Sequence, residues 1–209
     1  MTNKAMDNNE VVIAGFINAS LELDHQLYGE KFYKFYMGIP RLSGYIDLLP
    51  VTISDRLIGL NGLKRGDEIV VKGQLRSYNK LIEGKNRLIL TVFARDIVSG
   101  ENEKVKNPNH IFLNGFLCKT PIYRVTPFKR EIADILLAVN RSYNKSDYIP
   151  AIAWGRNARF CETLDVGDQL MIWGRIQSRI YQKRLEDGDM EERTAYEVSI
   201  TKMEIAVKK

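Results

Sequence analysis

The sequence repeats itself at an interval as long as a small domain. Features of the first half recur at an offset of 100: Gly15-Phe16 as Gly115-Phe116, Arg41 as Arg141, Asp47 as Asp147 and Pro50 as Pro150. The order continues after one inserted residue, because Gly66-Asp67 and Gly73 recur as Gly167-Asp168 and Gly174. A period this long exceeds the ~20–50 residues of solenoid repeats, so it predicts two tandem copies of one fold.

The stretch between the copies indicates where one domain ends and the next begins. Residues 99–109 are polar, lack an apolar period and contain Pro108, a combination typical of a linker. We therefore predict an N-terminal domain at residues 1–100, a linker at residues 101–109 and a C-terminal domain at residues 110–209.

Composition is that of a soluble globular protein. Hydrophobic residues make up 44% of the 209 residues and charged residues 27%, and no apolar run approaches the ~20 residues of a membrane-spanning helix. Met1 to Asn9 are polar and lack the apolar stretch of a secretion signal, which favours a cytoplasmic location. The formal charge of +5 permits a polyanionic partner without requiring one.

The sequence contains no motif for a metal, a cofactor or catalysis. Cys118, Cys161, His25 and His110 are far apart and fit no metal-ligand spacing, so the cysteines are expected to be reduced and buried. A nucleophile elbow and a phosphate-binding Gly-rich loop are both absent from the sequence. We therefore expect no cofactor, no metal site and no enzymatic activity.

Alternation of apolar and polar residues predicts five strands in each copy. The first copy has them at Glu10–Ile17, Lys31–Met37, Ile46–Ile53, Glu68–Tyr78 and Leu88–Ala94, and the second at Ile111–Leu117, Ile132–Val139, Asp147–Trp154, Leu170–Tyr181 and Ala195–Ile205. A short helical segment is predicted between the third and fourth strands, at residues 55–63 and 157–164. The protein is thus predicted to be all-β, with two tandem OB-folds. This five-stranded Greek-key barrel presents a sheet face and its loops to oligonucleotides or oligosaccharides.

The predicted fourth strands each have one face of cations and aromatic residues. That face comprises Lys72, Gln74, Arg76 and Tyr78 in the first copy, and Trp173, Arg175, Gln177, Arg179 and Tyr181 in the second. The third strand of the second copy adds Tyr148 and Trp154, which share a face because they are six positions apart. Single-stranded nucleic acid requires both ingredients, because cations neutralise phosphates and rings stack on bases, whereas carbohydrate requires mainly the rings. The alternative is that Tyr148 and Trp154 cap the barrel core and the arginines form an ordinary solvated surface.

Long connections between the fourth and fifth strands are a second candidate surface. They cover residues 79–86 and 182–193, longer than a two-residue turn, and contain several lysines and arginines. In the second copy the tip is acidic, so its base, at Lys183 and Arg184, is the better candidate for a contact with a polyanion.

The second copy resembles the bacterial single-stranded DNA-binding protein (SSB) family. The matching blocks are Leu137 to Arg141, Tyr148 to Phe160, Gly167-Asp168, Gly174 to Tyr181 and Tyr196-Glu197-Val198, which together span nearly the whole copy. The first copy matches more weakly, through Gly15, Pro50-Val51, Gly66-Asp67 and the run from Gly73 to Tyr78. The resemblance implies a protein that coats and protects single-stranded DNA, without strong sequence preference, during replication, recombination or repair.

The resemblance also implies base-stacking roles for Tyr148, Trp154 and Tyr181. In the first copy the positions that match Tyr148 and Trp154 hold Leu48 and Ser54, so weaker stacking is expected there. Combining the resemblance with the strand faces, we predict nucleic-acid contacts from Tyr148, Trp154, Tyr181, Arg141, Tyr143, Arg156, Arg175, Arg179 and Lys183 in the second copy, and from Arg41, Tyr45, Lys72, Arg76 and Tyr78 in the first.

Assembly, location and partners are also implied by the resemblance. Because the family assembles four OB-folds, a chain with two implies a homodimer, and the family location implies the bacterial cytosol or nucleoid. The printed sequence ends in Lys208-Lys209 without an acidic tail, so the resemblance does not extend to the recruitment of replication or repair enzymes.

Two other functions fit the same sequence. The chain could be an interaction scaffold, such as a primosome or recombination accessory protein, which would keep its protein partner after Tyr148, Trp154 and Tyr181 are all changed to alanine. An enzyme would have Asp47 and Asp147 as its duplicated carboxylates, but each begins a predicted strand and a role in a turn is simpler. A nuclease assay with magnesium distinguishes that function.

Overall fold

The computed structural model describes residues 7–59, 62–82, 84–99, 108–184 and 188–207, and these are mostly in β-strands. The first half contains β1 (Asn9–Ile17), β2 (Glu22–Leu27), β3 (Glu30–Pro40), β4 (Ile46–Ser54), a 3-10 turn (Asp55–Leu57), β5 (Glu68–Ile82) and β6 (Lys85–Ser99). The second half contains β7 (Asn109–Leu117), β8 (Ile122–Val125), β9 (Glu131–Arg141), β10 (Lys145–Trp154), α1 (Arg156–Phe160), a 3-10 turn (Cys161–Thr163), β11 (Gln169–Arg184) and β12 (Met190–Val207).

Each half closes into a barrel with the same strand order. In the first half β1 pairs with both β3 and β5, β5 pairs with β6, β6 runs parallel to β4, and β4 returns to β3. The second half repeats this order with β7, β9, β10, β11 and β12. The predicted all-β class and tandem OB-fold architecture are therefore confirmed.

Alternating side chains of these strands fill each barrel. Ile13, Leu49 and Leu75 lie inside the first barrel and Leu113, Ile149 and Ile172 inside the second, all almost completely buried. Among the helices of the described residues, none has the length and apolar composition needed to cross a membrane.

Two short strands and two ribbons extend the predicted architecture. β2 and β8 pair with the outer edges of β3 and β9 and were not predicted. The predicted loops at residues 79–86 and 182–193 are instead continuations of the β5–β6 and β11–β12 ladders, with register from Asn79↔Leu88 to Ile82↔Lys85 and from Gln182↔Glu192 to Arg184↔Met190. We call these extensions the first and second ribbons. Glu186 and Asp187, in the predicted acidic tip, lie outside the described residues.

The two halves share one sheet. β1 pairs antiparallel with β7 from Asn9↔Leu113 to Ile13↔Asn109, and the register is symmetric about Val11↔Ile111. Because equivalent residues differ by 100 positions, this pairing relates the two barrels by an approximate two-fold axis. Of the predicted linker, only Pro108 and Asn109 fall among the described residues, and the domain boundaries stay a prediction.

Two buried aspartates reinforce this junction from opposite sides. The Asp47 carboxylate accepts hydrogen bonds from Nε and Nη2 of Arg41, at 2.6 and 2.5 Å, and from the backbone N–H of Ser178 in the other half, at 2.7 Å. Asp147 accepts from the backbone N–H of Ser77 across the junction at 2.8 Å. The two aspartates therefore stabilise the junction between the halves, which goes beyond the role in a turn that the sequence indicates.

Candidate nucleic-acid interface

Strand β10 carries two exposed rings on the surface of the second barrel. Tyr148 and Trp154 point outward from it and are 47% and 36% exposed, so neither is sealed in the core. The parallel register Ile152↔Ser199 brings β12 alongside, and the Trp154 indole N–H donates to Ser199 Oγ at 3.0 Å. This bond fixes the indole while leaving much of the ring accessible, a geometry suited to stacking.

Arginines surround Trp154 in a surface cleft of about 720 Å³, which we call the Trp154 cleft. It is lined by the predicted contacts Arg175 and Arg179 from β11, by Arg130 from the turn before β9, and by Arg41 from the first half. Arg41 reaches this surface because its guanidinium donates to the Ser178 carbonyl of β11 at 3.1 Å. The cleft is therefore composite, and it combines an aromatic platform with a high density of positive charge.

Arg41 is held in place from several directions. Its guanidinium carbon lies 4.6 Å from the centroid of the Tyr45 ring, and its bidentate bond to Asp47 raises the pKa of the guanidinium. A cation positioned in this way is preorganised, because the side-chain entropy of the arginine is already lost before a ligand binds. Tyr45 itself lines neither the Trp154 cleft nor the cleft that Tyr78 and Tyr181 share.

Tyr181 and Tyr78 lie together in a second cleft, of about 700 Å³, between the two ribbons. Tyr36 and Tyr196 also line it, with Lys34, Lys80, Arg87 and Arg193 as cations and Glu191 and Glu192 as anions. Lys34 Nζ donates to the Tyr78 hydroxyl at 2.9 Å. Hydrogen bonding from Arg193 lowers the pKa of Glu191, which keeps a negative charge in this cleft. The cleft is therefore less favourable to a polyanion than the Trp154 cleft.

The remaining predicted residues lie around these clefts. Tyr143 is 87% exposed at the tip of the β9–β10 turn, Arg156 is exposed on α1 and Lys183 is exposed on the second ribbon. Lys72 lies on β5 beside β1, and Arg76 and Arg141 both bond to Asp147. Arg130 is a lining residue that the sequence does not predict; the β9–β10 register, in which Trp154 pairs with Ile132, places it beside Trp154.

The first barrel closes the position where the second displays Trp154. Ser54, the equivalent residue, is buried and its hydroxyl hydrogen bonds to Glu30. Phe32 of the neighbouring strand covers this area, stacked on His25 with ring centroids 4.7 Å apart and packed against Phe93 at 5.9 Å. Phe32 is itself buried, so this aromatic cluster offers little open ring surface beyond His25.

Tandem OB-folds with an arginine-rich aromatic surface define a class of oligonucleotide-binding proteins, and comparison with known proteins specifies the family. The model of the single-strand binding protein family matches residues 108–206. The chain is 32% identical over 90 residues to single-stranded DNA-binding protein B of Bacillus subtilis (strain 168), covering 38% of this chain and 75% of that protein. It is also 32% identical over 83 residues to a single-stranded DNA-binding protein of Clostridium tetani (strain Massachusetts / E88), covering 36% of this chain and 57% of that protein.

A solved structure supports the same architecture over the whole chain. The wild-type single-stranded DNA-binding protein from Thermus aquaticus superposes with a TM-score of 0.73 at 20% identity, covering 96% of this chain and 94% of that chain. At this identity the likeness shows the fold. The sequence relatives establish the family, and this chain belongs to the single-strand binding protein family.

Proposed function

We propose that this chain is a non-enzymatic protein that binds single-stranded DNA and coats and protects it, without strong sequence preference, during replication, recombination or repair. The observation that supports this most directly is the composite cleft in which Trp154 lies among Arg41, Arg130, Arg175 and Arg179. A base stacked on an aromatic ring contributes about 1–3 kcal/mol, and guanidinium groups neutralise the phosphates that flank it.

The chemistry of this cleft explains weak sequence preference. Every base has a π-face and every nucleotide has a phosphate, so rings and arginines recognise what all sequences share. Duplex DNA keeps its bases stacked on one another, which leaves no face for Tyr148 or Trp154. We therefore infer that single strands are preferred over duplex.

Fluorescence of Trp154 tests the proposal directly. The sequence contains two tryptophans, so a Trp173→Phe variant leaves Trp154 as the sole indole reporter. Trp173 packs on Phe112 at 5.1 Å between ring centroids, and phenylalanine preserves an aromatic contact there. Titration with oligo-dT is expected to quench Trp154, with an affinity that falls steeply as salt rises.

A matched variant separates contact from indirect effects. In Trp154→Phe, where Trp173 is the remaining indole, the same titration is expected to produce little quenching, while gel mobility still shows binding. If oligo-dT changes neither the fluorescence of Trp154 nor the mobility of the protein at low salt, the proposed function is wrong.

We further propose that the chain forms a homodimer with four OB-folds in the bacterial cytosol or nucleoid, and that residues 101–109 are the linker between its two domains. The pairing of the two barrels through β1 and β7 supports the four-barrel assembly, because each chain already supplies two barrels related by an approximate two-fold axis. Light scattering is expected to give twice the mass of one chain, and a monomer mass at micromolar concentration would contradict the assembly while leaving the DNA-binding proposal intact.

A further inference from the structure

Guanidinium groups from both halves converge at one point of the junction. Gln74 Oε1 accepts a hydrogen bond from Nη2 of Arg76 at 2.6 Å and from Nη2 of Arg95 at 2.8 Å. On the other side of Arg76, its Nη1 lies 3.2 Å from Asp147 Oδ2, and Nη1 of Arg141 lies 3.4 Å from Asp147 Oδ1. Arg76 is thus the centre of a cluster with Arg95 on one side and Arg141 on the other.

The charge of this cluster is not balanced. Arg76, Arg95 and Arg141 line a small pocket at the junction. Asp147 is the one carboxylate among the described residues that line this pocket, so three positive charges face one negative charge. Burial lowers the pKa of Arg76, and the charges of Arg141 and Arg95 lower it further, against the opposing attraction of Asp147. Like charges held this close repel one another, and an anion bound between them relieves the repulsion.

At the equivalent position across the approximate two-fold axis, the aspartate and its guanidinium partner are paired differently. There, both oxygens of Asp47 bind Arg41, so one carboxylate neutralises one guanidinium. Gln177, the counterpart of Arg76, is buried and donates to Glu197 at 2.8 Å. The arrangement around Arg76 is therefore not repeated across the axis, and it is not a general consequence of the fold.

The pocket selects the kind of anion by its size. Its cavity volume is about 30 Å³, and Asn8, Asn140 and Ser142 contribute polar groups to its wall. A volume of roughly 10–15 Å³ holds one water molecule, so this space accepts one or two oxygen atoms and excludes a base or a sugar. The two non-bridging oxygens of a backbone phosphate fit this volume, and guanidinium groups are strong hydrogen-bond donors to such oxygens.

We propose that Arg76, Arg95 and Arg141 form a phosphate site that holds a backbone phosphate of single-stranded DNA where the strand passes from one barrel to the other. The site lies beside β10, because the Asp147 carboxylate that binds Arg76 and Arg141 belongs to that strand and the backbone N–H of Tyr148 donates to Ser77 Oγ at 2.7 Å. The inference rests on the proposed function, since the phosphate belongs to a strand that Tyr148 and Trp154 hold.

Substitution of Arg95 is the sharpest test. Its side chain is exposed and hydrogen bonds to Gln74, whereas removal of Arg76 or Arg141 would take a partner from buried Asp147. For Arg95→Ala, the slope of the logarithm of oligo-dT affinity against the logarithm of salt concentration is expected to become shallower by about 0.7, the loss of one phosphate contact to a single strand. Arg95→Lys is expected to keep most of the slope.

The matched control is Arg124→Ala on β8, which removes an exposed arginine paired with Asp134 and is expected to leave the slope unchanged. If Arg95→Ala and Arg124→Ala have the same slope as the unaltered protein while Trp154 is still quenched, the phosphate site is wrong and the proposed function stands. If the unaltered protein shows no quenching at all, the proposed function itself fails.

A separate titration distinguishes backbone phosphate from a free phosphate compound. Pyrophosphate added without DNA is expected to leave the melting temperature of the protein nearly unchanged. A free phosphate compound lacks the bases that contact Tyr148 and Trp154, so it binds the site only weakly. Stabilisation by pyrophosphate that is lost in Arg95→Ala, together with an unchanged slope for DNA, would overturn the assignment to the nucleic-acid backbone.

Discussion

Asp47 shows how a single buried side chain joins the two barrels. Its carboxylate receives the Arg41 guanidinium from its own half and the backbone N–H and hydroxyl of Ser178 from the other half. A buried carboxylate is tolerated only when hydrogen bonds satisfy it, and here those bonds cross the junction. The same residue that fixes the junction also positions Arg41 beside the Trp154 cleft.

Substitution of Asp47 is therefore expected to be costly. In Asp47→Ala the Arg41 guanidinium and the Ser178 N–H lose their acceptor, and breaking a buried pair costs about 3–5 kcal/mol. For a chain of this size, each kcal/mol lowers the melting temperature by about 2–4 °C. Calorimetry should show a decrease of at least about 6 °C.

The matched control for this prediction is Asp134→Ala. Asp134 pairs with Arg124 at the surface, and an exposed pair contributes less than about 1 kcal/mol. Equal melting temperatures for Asp47→Ala and Asp134→Ala would contradict the assigned role of Asp47.

The sequence predicts the shared face of Tyr148 and Trp154 better than it predicts which arginines lie around them. Tyr148 and Trp154 share a face because strand alternation places residues six apart on one side, and this needs no tertiary information. Arg41 and Arg130 come to the Trp154 cleft through the junction and through the β9–β10 register, which join residues far apart in the sequence. Arg95 was not predicted as a contact, because its hydrogen-bond partner Gln74 lies on another strand.

The strands that the sequence predicts are those in which apolar and polar residues alternate most clearly. The barrel strands alternate cleanly and were predicted in order. β2 has six exposed residues and β8 has four residues with little burial, so neither gives a burial period that a sequence can reveal. The ribbons contain many polar residues because both of their faces are open, yet backbone pairing continues through them.

Glycine is required where β11 passes closest to β12. The register shifts between Trp173 and Gly174, and a Cβ added at Gly174 would lie 2.2 Å from the Ser199 carbonyl oxygen. Gly73 has the same relation to the Phe93 carbonyl oxygen, also at 2.2 Å. The repeated glycine thus reflects the same close backbone approach in both barrels.

Gly174→Ala is expected to destabilise the second barrel. The added methyl group must displace backbone, and overpacking of this kind costs about 1–3 kcal/mol. Chemical denaturation followed by Trp154 fluorescence should show a lower midpoint with an unchanged slope. Gly59→Ala is the control, because a Cβ there meets nothing within 4 Å and the backbone does not require glycine. A Gly174→Ala midpoint equal to that of Gly59→Ala would contradict the explanation.

The whole molecule is symmetric in its backbone and asymmetric in its surface. The approximate two-fold axis through β1 and β7 relates the barrels, but the second has exposed rings on β10 where the first has Leu48 and a buried Ser54. At the junction, Arg76 and Arg95 of the first barrel lie with Arg141 of the second in one arginine cluster. We infer that the second barrel supplies most of the stacking, whereas both barrels supply positive charge.

This division predicts a gain of function in the first barrel. Leu48 is exposed on β4 at the position equivalent to Tyr148, so Leu48→Tyr should add a stacking ring without disturbing the core. One additional stacked base is worth about 1–3 kcal/mol, which corresponds to an affinity increase of at least about fivefold. The increase should appear with oligo-dT long enough to reach both barrels, whereas a short oligonucleotide that fills only the second barrel should bind as before. Leu23→Tyr, which places a ring on exposed β2, is the control. If the Leu48→Tyr and Leu23→Tyr proteins bind the long oligonucleotide with the same affinity, then the bound DNA does not follow β4.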